Sequence, residues 1–236
     1  MSDHIVKAYD NELESLGQKI AEMGGIAEKM LADAMDALSA FDIDLAHRTI
    51  AADARLDTLQ REIEEQAILT IARRQPLAVD LREIIATIRI SNDLERVGDL
   101  AKNIAKRAIK IAGDVRIPRA IVGLRSMHES AATLLKDALD AYAERDVERA
   151  REVWTYDAEL DSLEDSVFRD LLTFMMEDPR NISFCAHLLF CSKNIERIGD
   201  HSTNIAETVV YLVTGEIMPA DRPKGRTMLT EPTANS

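Results

Sequence analysis

Aromatic residues are scarce in this sequence: Phe, Tyr and Trp make up 4% of its 236 residues, whereas hydrophobic residues make up 46%. Alanine, leucine, isoleucine and charged residues dominate instead, a composition that favours helices over a β-sheet. No apolar run approaches the roughly 18 residues of a membrane span. The N-terminal residues lack the apolar core of a signal peptide. These absences predict a helical protein that neither crosses a membrane nor is secreted.

Cysteine is also rare, with two residues in the chain, Cys185 and Cys191. In a helix, positions six residues apart are separated by about 9 Å along the axis, too far for a disulfide within that helix. Two buried free thiols are compatible with a reducing compartment, so we expect a cytoplasmic location.

The chain has no excess of basic residues: 29 Lys and Arg stand against 42 Asp and Glu, for a formal net charge of −13. The sequence pattern shows no basic face, and the negative charge would repel a nucleic-acid backbone. We therefore expect no nucleic acid among the partners. Cations, metal ions and basic protein surfaces are favoured instead.

What the sequence does contain is a segment written twice. Residues 92–105 read NDLERVGDLAKNIA, and residues 193–206, displaced by 101 positions, read KNIERIGDHSTNIA. Residues 23–57 likewise match residues 127–161 at a constant offset of 104. Polar as well as apolar positions recur, so chance similarity between amphipathic helices is a poor explanation. The chain is a tandem repeat of two homologous units.

Helical periodicity divides the first repeat into three helices. We predict the first over residues 4–40 and the second from its N-cap Asp42 to about Arg73. Pro76 breaks the pattern, and the third helix follows over residues 77–111.

The second repeat follows the same plan, with Asp146 and Pro179 at the corresponding positions. The sequence therefore predicts an all-α protein built from two tandem homologous three-helix bundles. A linker is expected over residues 113–118, and the Pro-containing end of the chain is predicted to be a disordered tail. The predicted units are residues 1–113, 114–214 and 215–236.

Each repeat carries two acidic pairs with four-residue spacing, one on its second helix and one on its third. Residues at this spacing lie one above the other on a helix. Folding the hairpin at its proline brings both pairs to the same level, so the four carboxylates of a repeat are expected to converge. We call them the first carboxylate set, Asp53, Asp57, Glu95 and Asp99, and the second carboxylate set, Asp157, Asp161, Glu196 and Asp200.

A helical wheel places the carboxylates of the third helix almost opposite its apolar seam, which predicts a shallow site on the bundle surface. Gly98 and Gly199, beside the two sets, would let a neighbouring element approach closely. Like charges at this spacing repel by roughly 0.2–0.5 kcal/mol per pair. Arg96, Lys102 and Arg197 lie near enough in the sequence to offset that repulsion.

Three interpretations of the carboxylate sets follow: inert acidic faces of a structural bundle, cation sites, or the centre of a metal-dependent enzyme. Duplication at matching heights favours cation sites, and oxygen ligands suit Mg²⁺, Mn²⁺ or iron better than structural zinc. The enzyme interpretation is disfavoured, because the sequence lacks the Glu-x-x-His of di-iron bundles, a Gly-rich phosphate loop and a nucleophile paired with a base. His201, beside Asp200, is a weaker candidate for an auxiliary ligand.

On these motifs the sequence resembles the PhoU family. Each repeat carries Asp-x-x-x-Asp on its second helix and Glu-Arg-x-Gly-Asp-x-x-x-Asn-Ile on its third, and the resemblance covers roughly residues 5–214. It implies that both carboxylate sets hold surface clusters of iron or zinc, as in some family members. Mg²⁺ or Mn²⁺ remain alternatives, and no metal is expected to be required for the fold.

The resemblance also implies a function. Family members are cytoplasmic regulators of phosphate uptake in bacteria, so this chain would be a non-enzymatic adaptor. It would link PstB, the ATPase of the phosphate ABC transporter, to the membrane histidine kinase PhoR, keeping starvation signalling off in high phosphate. A homodimer, peripheral to the membrane through these partners, is expected. The alternative is a di-iron-like or hydrolytic helical-bundle enzyme that uses the same carboxylates.

Overall fold

A computed structural model describes residues 2–113 and 118–219, with side chains throughout these ranges except at 2–8, 10, 118 and 156–158. This part of the chain consists of six α-helices and one short 3-10 helix, without a strand. The all-α, six-helix prediction is therefore confirmed. The helices are α1 (Ser2–Ala40), α2 (Ile43–Arg74), α3 (Ala78–Ile111), α4 (Pro118–Glu144), α5 (Val147–Glu177) and α6 (Ile182–Thr214).

The turn between the first two helices is built in the same way in both halves. Asp42 caps α2 by accepting one hydrogen bond from a backbone N–H of the first helical turn, and Asp146 caps α5 by accepting two. The residue before each cap, Phe41 or Arg145, adopts a left-handed conformation with φ of 57°. The predicted cap at Asp42 is confirmed, and the shared turn geometry supports the duplication.

The turn between the second and third helices forms at the predicted prolines. Before Pro76, Gln75 has φ of 49° and donates its backbone N–H to the Ile71 carbonyl oxygen at 3.0 Å. In the second half, Pro179 opens the 3-10 helix that separates α5 from α6. The predicted helix limits of the first half differ from the observed ones by at most two residues.

The two halves meet mainly through α3 and α6, and also through α1 and α4. Helix α3 packs on α1 and α2 of its own half, α6 packs on α4 and α5, and α3 and α6 pack on each other. The pair is antiparallel, because Arg89 lies over the Tyr211 ring at one end and Arg107 over the Phe190 ring at the other. The two three-helix bundles therefore share one continuous apolar core.

The predicted linker and tail lie mostly outside the described residues. Gly113 forms a turn after α3, whereas residues 114–117 are not described. Helix α6 ends at Thr214, and Gly215, with φ of 78°, terminates it. Of the predicted tail, residues 220–236 are not described.

Both cysteines are buried free thiols, as predicted. Burial raises the pKa of Cys191 to about 12, so this thiol is not a nucleophile near neutral pH. Within the described residues, none of the helices combines the length and the apolar character needed to cross a membrane.

Candidate functional site

Two carboxylates of the first set, one on each helix of the hairpin, meet at one cation, the side-chain nitrogen of Lys102. This Nζ lies 2.5 Å from Asp53 Oδ2 on α2 and 2.6 Å from Asp99 Oδ1 on α3. The hairpin thus brings these acidic residues of two helices to the same level, as predicted. Burial alone would lower the pKa of Lys102, but the two carboxylates outweigh it and raise that pKa above its ordinary value. Lys102 is a charged link between α2 and α3.

Glu95 lies within the electrostatic reach of the rest of the set. Its side chain is 16% exposed, and Arg96 Nε lies 3.5 Å from its Oε2. Burial raises the pKa of Glu95, Arg96 opposes that shift, and the charges of Asp99, Asp57 and Asp53 add to it. All four carboxylates therefore share one electrostatic environment.

The site is deeper than the shallow surface site expected from the helical wheel. Asp53 is 6% exposed, so it is buried. Helix α2 approaches α3 closely at Gly98, where a Cβ atom would lie 2.3 Å from Leu56 Cδ1 and 3.8 Å from Asp53 Oδ1. The close approach predicted at Gly98 is thus confirmed. It also explains the burial of Asp53, which a wheel drawn for one helix does not show.

Gly98→Ala is expected to lower the free energy of unfolding by about 1–2 kcal/mol. The added methyl group overpacks against Leu56, which is fully buried, at a cost of about 1–3 kcal/mol. Replacing a helical glycine returns up to about 1 kcal/mol. Gly25→Ala is the matched control, since Gly25 is helical and a Cβ there meets nothing within 4 Å. Chemical denaturation should show opposite signs for the two variants, and equal changes would contradict the packing argument.

In the second carboxylate set, one oxygen of Glu196 has no partner among the described side chains. Lys193 Nζ lies 2.8 Å from Glu196 Oε1, and the Glu196 side chain is 13% exposed. Its Oε2 is buried and accepts no hydrogen bond from the described residues. Burial raises the pKa of Glu196, Lys193 opposes that shift, and the charges of Asp200 and Glu164 add to it.

Glu164 is an acidic neighbour that the repeat pattern does not reveal. Its carboxylate lies 3.7 Å from Lys193 Nζ. Burial raises the pKa of Glu164, Lys193 opposes that shift, and the charge of Asp161 adds to it. The matching residue of the first repeat is Gln60, which donates to Asn92 at 2.7 Å, so comparing the repeats gives no acidic signal here.

The two sets differ in where their cation lies. Thr203 occupies the position that matches Lys102, and its hydroxyl donates to the Gly199 carbonyl oxygen at 3.0 Å. Conversely, Lys193 occupies the position that matches Asn92. Lys102 therefore joins two members of the first set across α2 and α3. Lys193 pairs with one member of the second set, Glu196 on α6, and reaches α5 through Glu164, which is not a member of the set.

The described side chains contain no group of three or more His, Cys, Asp or Glu residues arranged to hold a metal ion. Asp157 of the second set lies outside those side chains. The Nδ1 of His201, the weaker ligand candidate, lies 2.9 Å from Asp93 Oδ1 on α3. His201 is thus engaged in the contact between the two halves, and metal binding by the carboxylate sets stays a prediction.

The profile of the PhoU domain matches the chain twice, at residues 20–108 and 124–209. A phosphate-specific transport system accessory protein PhoU homolog from Rhizobium meliloti is 55% identical over 222 residues, 94% of this chain and 93% of that protein. A homolog of the same name from Caulobacter vibrioides is 48% identical over 224 residues, 95% of this chain and 97% of that protein.

Two crystal structures share the fold. PhoU from Pseudomonas aeruginosa has a TM-score of 0.84 and 40% identity, covering 88% of this chain and 100% of that one. The phosphate transport system regulatory protein PhoU from Streptococcus pneumoniae has a TM-score of 0.82 and 26% identity, covering 89% and 99%. With both repeats matched and close relatives aligned over nearly their whole length, the chain belongs to the PhoU family.

Proposed function

We propose that this chain regulates phosphate uptake and acts as a negative regulator of phosphate-starvation signalling. The names of the relatives carry this proposal: those from Rhizobium meliloti and Caulobacter vibrioides are accessory proteins of the phosphate-specific transport system. The chain aligns with them over 94% and 95% of its length. In this proposal it is a cytoplasmic, non-enzymatic homodimer that links PstB to PhoR. The names favour this role over a metal-dependent enzyme.

The two helical hairpins support binding to partner proteins. Both the α2–α3 and the α5–α6 hairpin expose large apolar side chains near the turn that joins their helices. Grouped apolar side chains on a surface mark interaction sites. An adaptor without chemistry of its own requires such surfaces. They comprise Ile68, Leu69, Leu77 and Val79 in the first hairpin and Phe168, Leu172, Met176 and Ile182 in the second.

We also propose that the carboxylate sets bind metal ions, the second set more readily than the first. The Oε2 of Glu196, which accepts no hydrogen bond from the described residues, offers a ligand. A bound cation would offset the burial and repulsion that raise the pKa values of Glu196 and Glu164. Oxygen ligands suit Mg²⁺, Mn²⁺ or iron. In the first set, Lys102 already bridges Asp53 and Asp99, so a metal ion there has to displace its ammonium group.

A bacterial strain that lacks its own PhoU homologue tests the regulatory role. Expression of this chain should restore repression of a phosphate-starvation reporter in high phosphate. A pull-down from the same cells should recover PstB and PhoR, and adding a chelator tests whether that recovery requires metal. A reporter that stays active although folded protein accumulates would overturn the proposal.

A further inference from the structure

A basic pocket lies between α3 and α6, and no carboxylate of either set lines it. Its volume is about 460 Å³. Cations and amides line it together with an aromatic ring: Asn103, Lys106, Arg107 and Lys110 from α3, and Phe190 and Asn194 from α6. The sequence pattern led us to expect no basic face, and the structure corrects this expectation locally.

The three cations of the pocket have no carboxylate partner within the described residues. Lys106, Arg107 and Lys110 form no salt bridge with any carboxylate in the described part of the chain. Many of the other cations do, as Lys102 and Lys193 show. On a chain with a formal net charge of −13, unbalanced positive charge in one concavity requires a reason.

Arg107 is held in place at the wall of the pocket. Its guanidinium lies 4.3 Å from the centroid of the Phe190 ring, and its Nη1 lies 3.0 Å from His187 Nδ1. Because a guanidinium only donates, this ring nitrogen of His187 accepts. Further N–H donors of Arg107 remain available, and the Phe190 side chain is 56% exposed. The pocket therefore offers fixed positive charge next to an accessible aromatic ring.

The second copy of the repeat provides an internal comparison. Positions displaced by 101 residues occupy the matching places at the other end of the α3–α6 pair. They place Glu, Thr and Tyr where the basic pocket has its three cations, and the one cation among them, Arg89, matches Phe190, so the fold does not require three positive charges at such a place. Helix α6 also carries no basic residue in its last turn, so the cations are not explained by the helix dipole alone. The matching residues, in order, are Asn204, Glu207, Thr208, Tyr211, Arg89 and Asp93.

We propose that the basic pocket binds a phosphorylated small molecule of nucleotide size. Lys106, Lys110 and Arg107 would contact the phosphoryl oxygens, since Lys and Arg are the side chains that bind phosphate by charge-assisted hydrogen bonds. A volume of about 460 Å³ falls in the range of small-molecule sites and is far larger than one phosphate ion. Phe190 offers a stacking surface for the base. Because Arg107 on α3 contacts α6, a bound ligand would act on the contact between the two halves.

Titration calorimetry of the full chain with ATP, AMP and inorganic phosphate tests the proposal. Chelator is present throughout, so that a metal ion in a carboxylate set cannot bridge to the nucleotide. ATP should bind saturably, and Lys106→Gln with Lys110→Gln should weaken it about tenfold or more, as expected for lost charge-assisted hydrogen bonds. Phe190→Ala should weaken ATP severalfold and leave any binding of inorganic phosphate unchanged.

The matched control is Lys29→Gln with Lys136→Gln, which removes the same charge from exposed lysines of α1 and α4. It should leave ATP binding unchanged. Equal losses in both double variants would show non-specific attraction and overturn the proposal. Absence of saturable ATP binding would overturn it too, as would ATP binding that neither the lysine pair nor Phe190 affects. Because the titration excludes metal, its failure leaves the proposal for the carboxylate sets standing.

Discussion

Replacing Lys102 with threonine, the residue at the matching position of the second repeat, is expected to lower the free energy of unfolding by about 3 kcal/mol. The variant leaves the Asp53 side chain, 9% exposed, as a buried carboxylate without its cation. Removing one partner of a buried ion pair costs about 3–5 kcal/mol. The 33% exposure of the Asp99 side chain places the expected loss at the lower end of that range. Chemical denaturation at pH 7 measures it.

Two further variants separate loss of the ion pair from loss of positive charge. Lys29 is 74% exposed, so Lys29→Thr should change stability by less than about 1 kcal/mol although it removes the same charge. Asp53→Asn combined with Lys102→Thr leaves a neutral side chain at position 53. The double variant should recover most of the free energy of unfolding that Lys102→Thr loses. A Lys102→Thr protein as stable as the unmodified chain, or one that Asp53→Asn does not rescue, would contradict the role of Lys102.

The pH dependence of this effect has a defined sign. The pKa of Lys102 is raised in the folded chain, so its contribution is complete below the ordinary lysine pKa of about 10.4. It is lost as the pH rises through the higher folded value. The stability difference between the unmodified chain and Lys102→Thr should therefore stay constant near neutral pH. It should shrink in strongly alkaline solution, where Lys102 loses its proton.

The fold could be read from the sequence because local signals and duplication agree. Asp42 is a good N-cap at the start of an amphipathic pattern, Pro76 excludes a continuous helix, and the second repeat restates both signals. The level of the carboxylates on each hairpin also follows from helix geometry, since Asp53 and Asp99 lie at similar distances from Pro76. The structure brings these two to a single lysine.

Contacts between elements could not be read in the same way. A wheel for one helix shows which face a side chain occupies, but not how closely the neighbour approaches, so the burial of Asp53 was not evident. Glu164 is hidden because its counterpart is Gln60. The basic pocket depends on the antiparallel contact of α3 with α6, which brings Phe190 to Arg107 and which no repeat offset specifies.

Glu196→Gln is expected to raise the stability of the metal-free chain at pH 7 by about 1–2 kcal/mol, because an unpaired buried polar group costs about that much. For a chain of this length, each kcal/mol corresponds to about 2–4 °C in Tm. The amide is neutral, can still accept from Lys193 and can donate to neighbouring carboxylates. The folded-state pKa of Glu196 is raised, so the ionised form is disfavoured in the folded chain. The advantage of the variant should therefore vanish below the ordinary glutamate pKa of about 4.3 and grow as the pH rises through the folded value.

The same variant should bind metal more weakly. The proposal for the second set therefore predicts that Glu196→Gln raises stability without metal and reduces the stabilisation that metal gives. A ligand that binds only the folded state raises Tm as its concentration increases. Mn²⁺ or Mg²⁺ should therefore stabilise the unmodified chain, and should stabilise Glu196→Gln much less. Glu65→Gln, with its exposed carboxylate outside both sets, should follow the unmodified chain in both measurements. A residue kept for packing alone would show neither the gain without metal nor the loss with it. If Glu196→Gln destabilises the metal-free chain, or responds to Mn²⁺ as the unmodified chain does, Glu196 is not a carboxylate held in place for a cation.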